Sequence, residues 1–213
     1  MRQLRSFFLL IFIALTACTN VEQSKDVYKS DATGTELALQ VCSACHGKTG
    51  QAVSSQFPKL AGQHKEYLLI QLGEFKEHRR STPNAVAFMW SFNQLTTAQM
   101  NELAQYYSVQ GPMVGEPSQS PLLSRGKMIY EQGIPGSNVT ACSSCHGSNA
   151  IGGKEIPRLA GQHANYIAEQ IHLFKNSTKR PNGVAMMSLT HSMSEDDIQA
   201  VSIYLGSLHV GSK

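Results

Sequence analysis

The chain has 213 residues, of which 41% are hydrophobic, 8% aromatic and 15% charged, a globular composition with fewer charges than usual and no bias towards disorder. Its formal charge is +3; with Arg2 and Arg5 assigned to an N-terminal leader, 16 basic side chains face 15 acidic ones in the remainder. That balance excludes the strongly basic footprint of a nucleic-acid binder, and the length suits two domains of about 90 residues better than one.

Residues 1–17, MRQLRSFFLLIFIALTA, carry two arginines, an apolar run from Phe7 to Leu15 and then small residues. The run is too short to span a bilayer permanently, and its flanks fit an export signal. Leu15, Thr16, Ala17 and Cys18 resemble a bacterial lipobox, in which the cysteine becomes the lipidated first residue of the mature chain. The competing reading is an ordinary cleavable leader with a chance cysteine. Residues 18–33 are polar and have the character of a tether.

The remaining chain is one sequence written twice. Cys42, Ser43, Cys45, His46 and Gly47 recur 100 residues later as Cys142, Ser143, Cys145, His146 and Gly147. Pro58, Leu60, Ala61, Gly62, Gln63 and His64 return as Pro157, Leu159, Ala160, Gly161, Gln162 and His163. Further on, Pro83, Asn84, Val86, Ala87 and Met89 match Pro181, Asn182, Val184, Ala185 and Met187. Order is kept while the spacing drifts by two, as two homologous domains with small loop deletions require. Gly111, Pro112, Gly115, Pro117 and Pro121 punctuate the stretch between them. The expected organisation is therefore a first domain over 34–108, a linker over 109–121 and a second domain over 122–213.

Each half predicts helices. Leu68, Leu72 and Phe75 share one helical face, as do Ile167, Ile171 and Phe174. Thr96 with Gln99 and Ser194 with Asp197 have the form of capped helix starts, and each leads into an amphipathic segment. No long alternating run predicts a sheet. The fold class is all-α, two tandem domains whose loops are too long for their helices unless something fills the middle of each.

Cys42-Ser-Ala-Cys45-His46 and Cys142-Ser-Ser-Cys145-His146 identify that filling. Cys-x-x-Cys-His is the c-type haem attachment pattern: two thiols add to the haem vinyl groups and the neighbouring imidazole coordinates the iron. A four-thiolate zinc site is the chemical rival, but its cysteine pairs usually lie about 15 to 20 residues apart and zinc does not explain a histidine in both places. A thioredoxin-type dithiol lacks its βαβ setting. Two covalently bound haem c groups are expected, with His46 and His146 as axial ligands.

A soft thioether is a common sixth ligand. Met100 belongs to the final helix of the first half and Met113 to the linker, whereas Met89 has a methionine counterpart in Met187. These two are the expected axial pair-mates. Met186 and Met193 align with Phe88 and Leu95 and are assigned to core packing. His64 and His163 are the other repeated candidates, with surface or capping roles as their alternative. Pro58 and Pro157 each offer a carbonyl that fixes the proximal imidazole, or else simply start a helix. Arg80, Lys179 and Arg180 either neutralise haem propionates or remain solvated surface charges, and Trp90 packs in one half alone.

Together, two Cys-x-x-Cys-His-Gly units, each followed by Pro-x-Leu-Ala-Gly-Gln-His, an Asn-x-Val-Ala-x-Met loop and a capped final helix, resemble the dihaem cytochrome c4 family of class I c-type cytochromes over about residues 34–209. The resemblance implies two cytochrome c domains about a pseudo-twofold axis, neighbouring haems, and electron transfer from a cytochrome bc complex towards a terminal oxidase. It carries over His46 with Met89 and His146 with Met187 as axial pairs. The stretch 133–141 departs from the first half by lengthening the approach to the second attachment site. Alternatives are the cytochrome subunit of a dehydrogenase complex, or a dihaem enzyme acting on thiosulfate or peroxide. Against the enzyme, four of five cysteines are spent on attachment and Cys18 on the leader, which leaves no thiolate for an unusual iron ligand.

The lipobox makes Cys18→Ser informative: the variant is expected in the soluble periplasmic fraction, while the parent protein sediments with membranes. Retention of the variant on membranes contradicts the lipid anchor.

Overall fold

Residues 31–209 are described by a computed structural model; the expected leader, the expected lipid anchor Cys18 and most of the expected tether lie outside these residues. The first described helix starts where a capping box allows it. The Thr33 hydroxyl accepts from the Glu36 N–H at 3.2 Å while the Glu36 carboxylate accepts from the Thr33 N–H at 2.8 Å. The chain then runs through α1 (Gly34–Leu37), a π turn (Ala38–Cys42) and α2 (Ser43–His46) into the first attachment site. After a loop come α3 (Lys65–Lys76), a second π turn (Ala85–Met89), a 3-10 turn (Trp90–Phe92) and α4 (Thr97–Ser108). The second half repeats the plan with α5 (Leu123–Gln132), α6 (Ser143–His146), α7 (Ala164–Asn176), a 3-10 turn (Pro181–Gly183), α8 (Val184–Thr190) and α9 (Glu195–Ser207). Among the described residues there is no strand, only isolated bridges joining Ile134 to Val139 and Gly153 to Ile156.

In each half the first and last helices cross at a glycine. A Cβ on Gly34 would stand 2.5 Å from the Gln99 carbonyl oxygen of α4, and one on Gly126 only 2.1 Å from that of Ala200 on α9. The backbones approach so closely that no side chain fits. Both final helices begin at the capping boxes expected from sequence, Thr96 with Gln99 and Ser194 with Asp197. In the second half α9 packs against α5 and α7, burying Ile129, Tyr130, Ile167, Ile171, Ile198, Val201 and Leu205 in one cluster. The extra stretch at 133–141 folds back on itself, with the Ile134 N–H bonded to the Val139 carbonyl at 2.9 Å, and sends Val139 into that cluster.

The repeated Leu-Ala-Gly-Gln-His segment joins the halves. Gln63 Nε2 donates to the Arg158 carbonyl at 3.0 Å, and its Oε1 accepts from the Arg158 N–H at 2.8 Å. Gln162 does the same to Lys59, with both bonds at 2.9 Å. Each amide thus completes a buried backbone donor and acceptor of the opposite half, the reciprocity of a pseudo-twofold axis. Residues 109–121 thread between the halves: Met113 is 1% exposed, Pro112 accepts from Gln51 at 2.8 Å, and Val114 accepts from the buried Lys59 ammonium at 2.7 Å. The proline and glycine content marks this segment as irregular, but it is wedged into the interface.

Gln162→Leu strips partners from the buried Lys59 N–H and carbonyl together, and an unsatisfied buried group costs about 1–3 kcal/mol. Denaturant unfolding of the haem-loaded variant should therefore show a loss of at least about 1 kcal/mol, with a comparable loss for Gln63→Leu.

Candidate functional site

One cavity of 750 Å³ runs through both halves. Cys42, Cys45 and His46 of the first half line it together with Cys142, Cys145 and His146 of the second. The short helices α2 and α6 put each cysteine pair and its histidine on one turn, because positions i, i+3 and i+4 share a helix face. Gly47 and Gly147, both at φ +76°, then turn the chain away.

His46 is 8% exposed and His146 6%. The Pro58 carbonyl stands 2.9 Å from His46 Nδ1, and the Pro157 carbonyl 3.0 Å from His146 Nδ1. A carbonyl only accepts, so Nδ1 carries the proton and Nε2 keeps the lone pair needed to bind a metal. Burial holds both imidazoles below the usual histidine range, against the opposing pull of the carbonyl bond. They are neutral and ready to ligate. Burial likewise pushes the Cys42 and Cys142 thiols up to about 11, the reverse of a reactive redox dithiol. Among the described residues no three His, Cys, Asp or Glu side chains gather as a metal cluster, so the four thiols do not converge on a zinc site.

The walls are apolar. Leu68, Phe75, Leu103 and Tyr107 line one half of the cavity and Ile167, Ile171, Phe174 and Leu205 the other, which places the helical faces expected from sequence against this space. Phe57 stacks edge-on against Phe88 at 5.3 Å and faces the His46 ring at 6.1 Å.

The thioethers on the wall are Met89, Met186 and Met193. Met187, expected from the repeat as the counterpart of Met89, is half-buried and does not line the cavity, whereas Met186, assigned to core packing, does. The reason is a change of helix type. From Asn84 the first half closes a π turn, in which the Trp90 N–H reaches back five residues to the Ala85 carbonyl. After Asn182 the chain enters the regular helix α8. A π turn uses one residue more than an α turn, so the fifth residue after Asn84 answers to the fourth after Asn182. Met89 pairs with Met186.

The other candidates also find places. His64 and His163 stand outside the cavity and bond across the interface, His64 Nε2 to the Ile151 carbonyl at 2.8 Å and His163 Nε2 to that of Ala52 at 2.8 Å. Each occupies an N-cap position but makes no side-chain cap bond, and His163 is buried, so surface and capping roles are both replaced. Trp90 stacks on His78 at 4.4 Å and donates to the Arg80 carbonyl. Lys179 is exposed, but Arg80 is 7% exposed and Arg180 half-buried, and both arginines line the cavity. Sequence reasoning passed over Gln71 and Gln170, which also line it; their 99-residue spacing was the available signal.

The residues fit haem c. Each half of the cavity joins two thiols, a neutral imidazole with a free Nε2 and a thioether within apolar walls. On the wall between the halves, Arg80 Nε is buried without a hydrogen-bond partner, a donor that a propionate carboxylate satisfies.

The sequence model of the cytochrome c family matches residues 32–108 and again 123–209. Cytochrome c-552 of Acidithiobacillus ferridurans is 34% identical over 98% of this chain and 90% of its own length. Cytochrome c4 of Thiocapsa roseopersicina is 37% identical over 82% of this chain and 91% of its own. The thiosulfate dehydrogenase electron acceptor of Thiomonas intermedia is 34% identical over 77% and 76%, respectively. Among solved structures, the Acidithiobacillus ferrooxidans cytochrome c4 superposes with a TM-score of 0.74 at 36% identity, covering 78% of this chain and 98% of that one. Reduced cytochrome c4 of Pseudomonas stutzeri gives 0.72 at 32% identity, covering 84% and 100%. With two attachment sites opening into one cavity and these likenesses spanning both halves, the chain belongs to the cytochrome c4 family of dihaem c-type cytochromes and holds two covalent haem c groups.

Proposed function

We propose that this dihaem electron carrier works on the periplasmic side of a bacterial membrane, held there by lipidated Cys18, and passes single electrons from a cytochrome bc complex towards a terminal oxidase. The observation that carries the reading is the shared cavity: both thiol pairs and both imidazoles open into one space that crosses the domain interface. Haem supplies reversible one-electron chemistry at its iron. The chain's own residues do the rest. Cys42 with Cys45 and Cys142 with Cys145 tether the cofactors. His46 with Met89, and His146 with Met186, are the axial pairs we assign. The carbonyls of Pro58 and Pro157 hold the imidazoles in the ligating tautomer. The apolar walls exclude water, which keeps the charge change local and favours the thioether bond.

No small-molecule chemistry is assigned. The fifth cysteine, Cys18, is assigned to the lipid anchor, and each site has a thioether of its own, so neither iron is left for a thiolate or an open position. A second reading, favoured by the likeness to the Thiomonas intermedia electron acceptor, makes the partner a thiosulfate dehydrogenase from which the chain accepts electrons. Stopped-flow reduction separates the two. Quinol-fed membranes containing a cytochrome bc complex should reduce the oxidised protein within its catalytic turnover time. Reduction that needs a thiosulfate dehydrogenase and thiosulfate supports the second reading instead.

The axial assignment has its own test. Met186→Leu should remove the far-red absorption of methionine-bound ferric iron from one haem of the two, while Met187→Leu leaves it whole. The opposite pattern returns the ligand to Met187.

A further inference from the structure

At the pseudo-twofold axis four side chains close a ring. Arg80 Nη1 donates to Gln71 Oε1 at 2.7 Å and its Nη2 to Gln170 Oε1 at 3.0 Å. Arg180 Nη1 donates to the same Gln170 oxygen at 2.9 Å, and its Nη2 to the same Gln71 oxygen at 3.2 Å. Each guanidinium also reaches a tyrosine of the other half, Arg80 to Tyr166 at 3.1 Å and Arg180 to Tyr67 at 3.2 Å. Each lies over a phenylalanine of its own half, Phe75 at 4.9 Å and Phe174 at 4.5 Å.

The ring sets two like charges side by side, joined through neutral oxygens. Among the described residues neither arginine forms a salt bridge. The carboxylate of Glu74 accepts from Arg79 and Asn182, and that of Glu169 from Asn84. Two like cations drawn out of water side by side are costly; burial and then the charge of Arg80 hold the Arg180 guanidinium below its usual range, whereas Arg80 is held above its own despite burial, by Tyr166 and Tyr67 and by the more distant charge of Glu169. Yet one donor is left over: Arg80 Nε, buried and unpartnered. The whole ring faces the cavity, since Gln71, Arg80, Gln170 and Arg180 all line it.

We propose that the ring is a shared carboxylate clamp, in which Arg80 and Arg180 together bind a propionate of each haem, so that both cofactors draw on one pair of cations across the interface. The inference rests on the dihaem reading and goes beyond it. Gln71 and Gln170 hold the like charges together, and each arginine, bonded into both halves, acts on both irons. Reduction adds one electron to one iron, with no bond made or broken, so a nearby positive charge favours the reduced form of whichever iron it reaches. An arginine that served only its own half would tune only one haem.

Potentiometric titration of the intact, haem-loaded protein tests this, with the haem count of every variant fixed by mass. In Arg80→Gln both midpoints should fall, each by a severalfold change in the reduction equilibrium, with Arg80→Lys keeping both near the parent values. Arg180→Gln, entering the ring from the other half, should lower both as well, and it decides the matter where Arg80→Gln does not mature. A fall at one haem alone, or no fall, overturns the clamp. An equal fall in Arg80→Lys also overturns it, because that is what lost packing without a charge effect gives. A parent protein carrying one haem fails the dihaem reading itself, a result that haem mass separates from failure of the clamp.

Discussion

Two buried glutamines, each completing the backbone of the opposite half, are the constraint on which the rest of the molecule depends. Gln63 and Gln162 bond both the N–H and the carbonyl of Arg158 and Lys59. Such groups cannot be left unpaired away from water, so the two halves have one satisfactory way to meet. That arrangement turns two cofactor pockets into a single cavity. It also delivers His64 and His163 to carbonyls of the partner half and brings Arg80 and Arg180 face to face. The same short motif thus builds the interface and places the polar seam between the two redox sites.

Against this symmetry the differences between the halves are specific. The first half reaches its attachment site through a π turn and passes its thioether through another. The second uses the folded stretch at 133–141 for the first purpose and the regular helix α8 for the second. Val139, Thr140 and Ala141 of that stretch line the cavity, so the lengthened approach adds wall to the second site. Phe57 and Phe88 give the first site an aromatic wall, where the second presents Ile156 at the position of Phe57.

Much of this was legible in the sequence because the chemistry is local there. Cys-x-x-Cys-His needs only one helical turn, the capping boxes only four residues, and the apolar faces of α3 and α7 only a period, so each stands in the sequence as it stands in the fold. The thioether on the second wall was not legible. Matching at constant offset assumes constant helix type, and the π turn before Trp90 breaks that assumption by one residue, so that Met186 lines the cavity where the repeat points to Met187. Nor did sequence distinguish solvated arginines from Arg80 and Arg180, since their burial comes from the opposite half. His163 and the linker residue Met113 were hidden for the same reason: each is buried by residues far away in the chain. The leader and Cys18 rest on sequence alone.

Two covalent haems in one cavity, each with a histidine and a methionine proposed for its iron, give a definite expectation. Mass and optical analysis of the oxidised, mature protein tests it most directly. Two haems per chain, far-red methionine absorption at full stoichiometry and no rapid change with cyanide are predicted. A single haem, or half the far-red absorption with fast cyanide binding, contradicts the account and makes one site a place for catalysis.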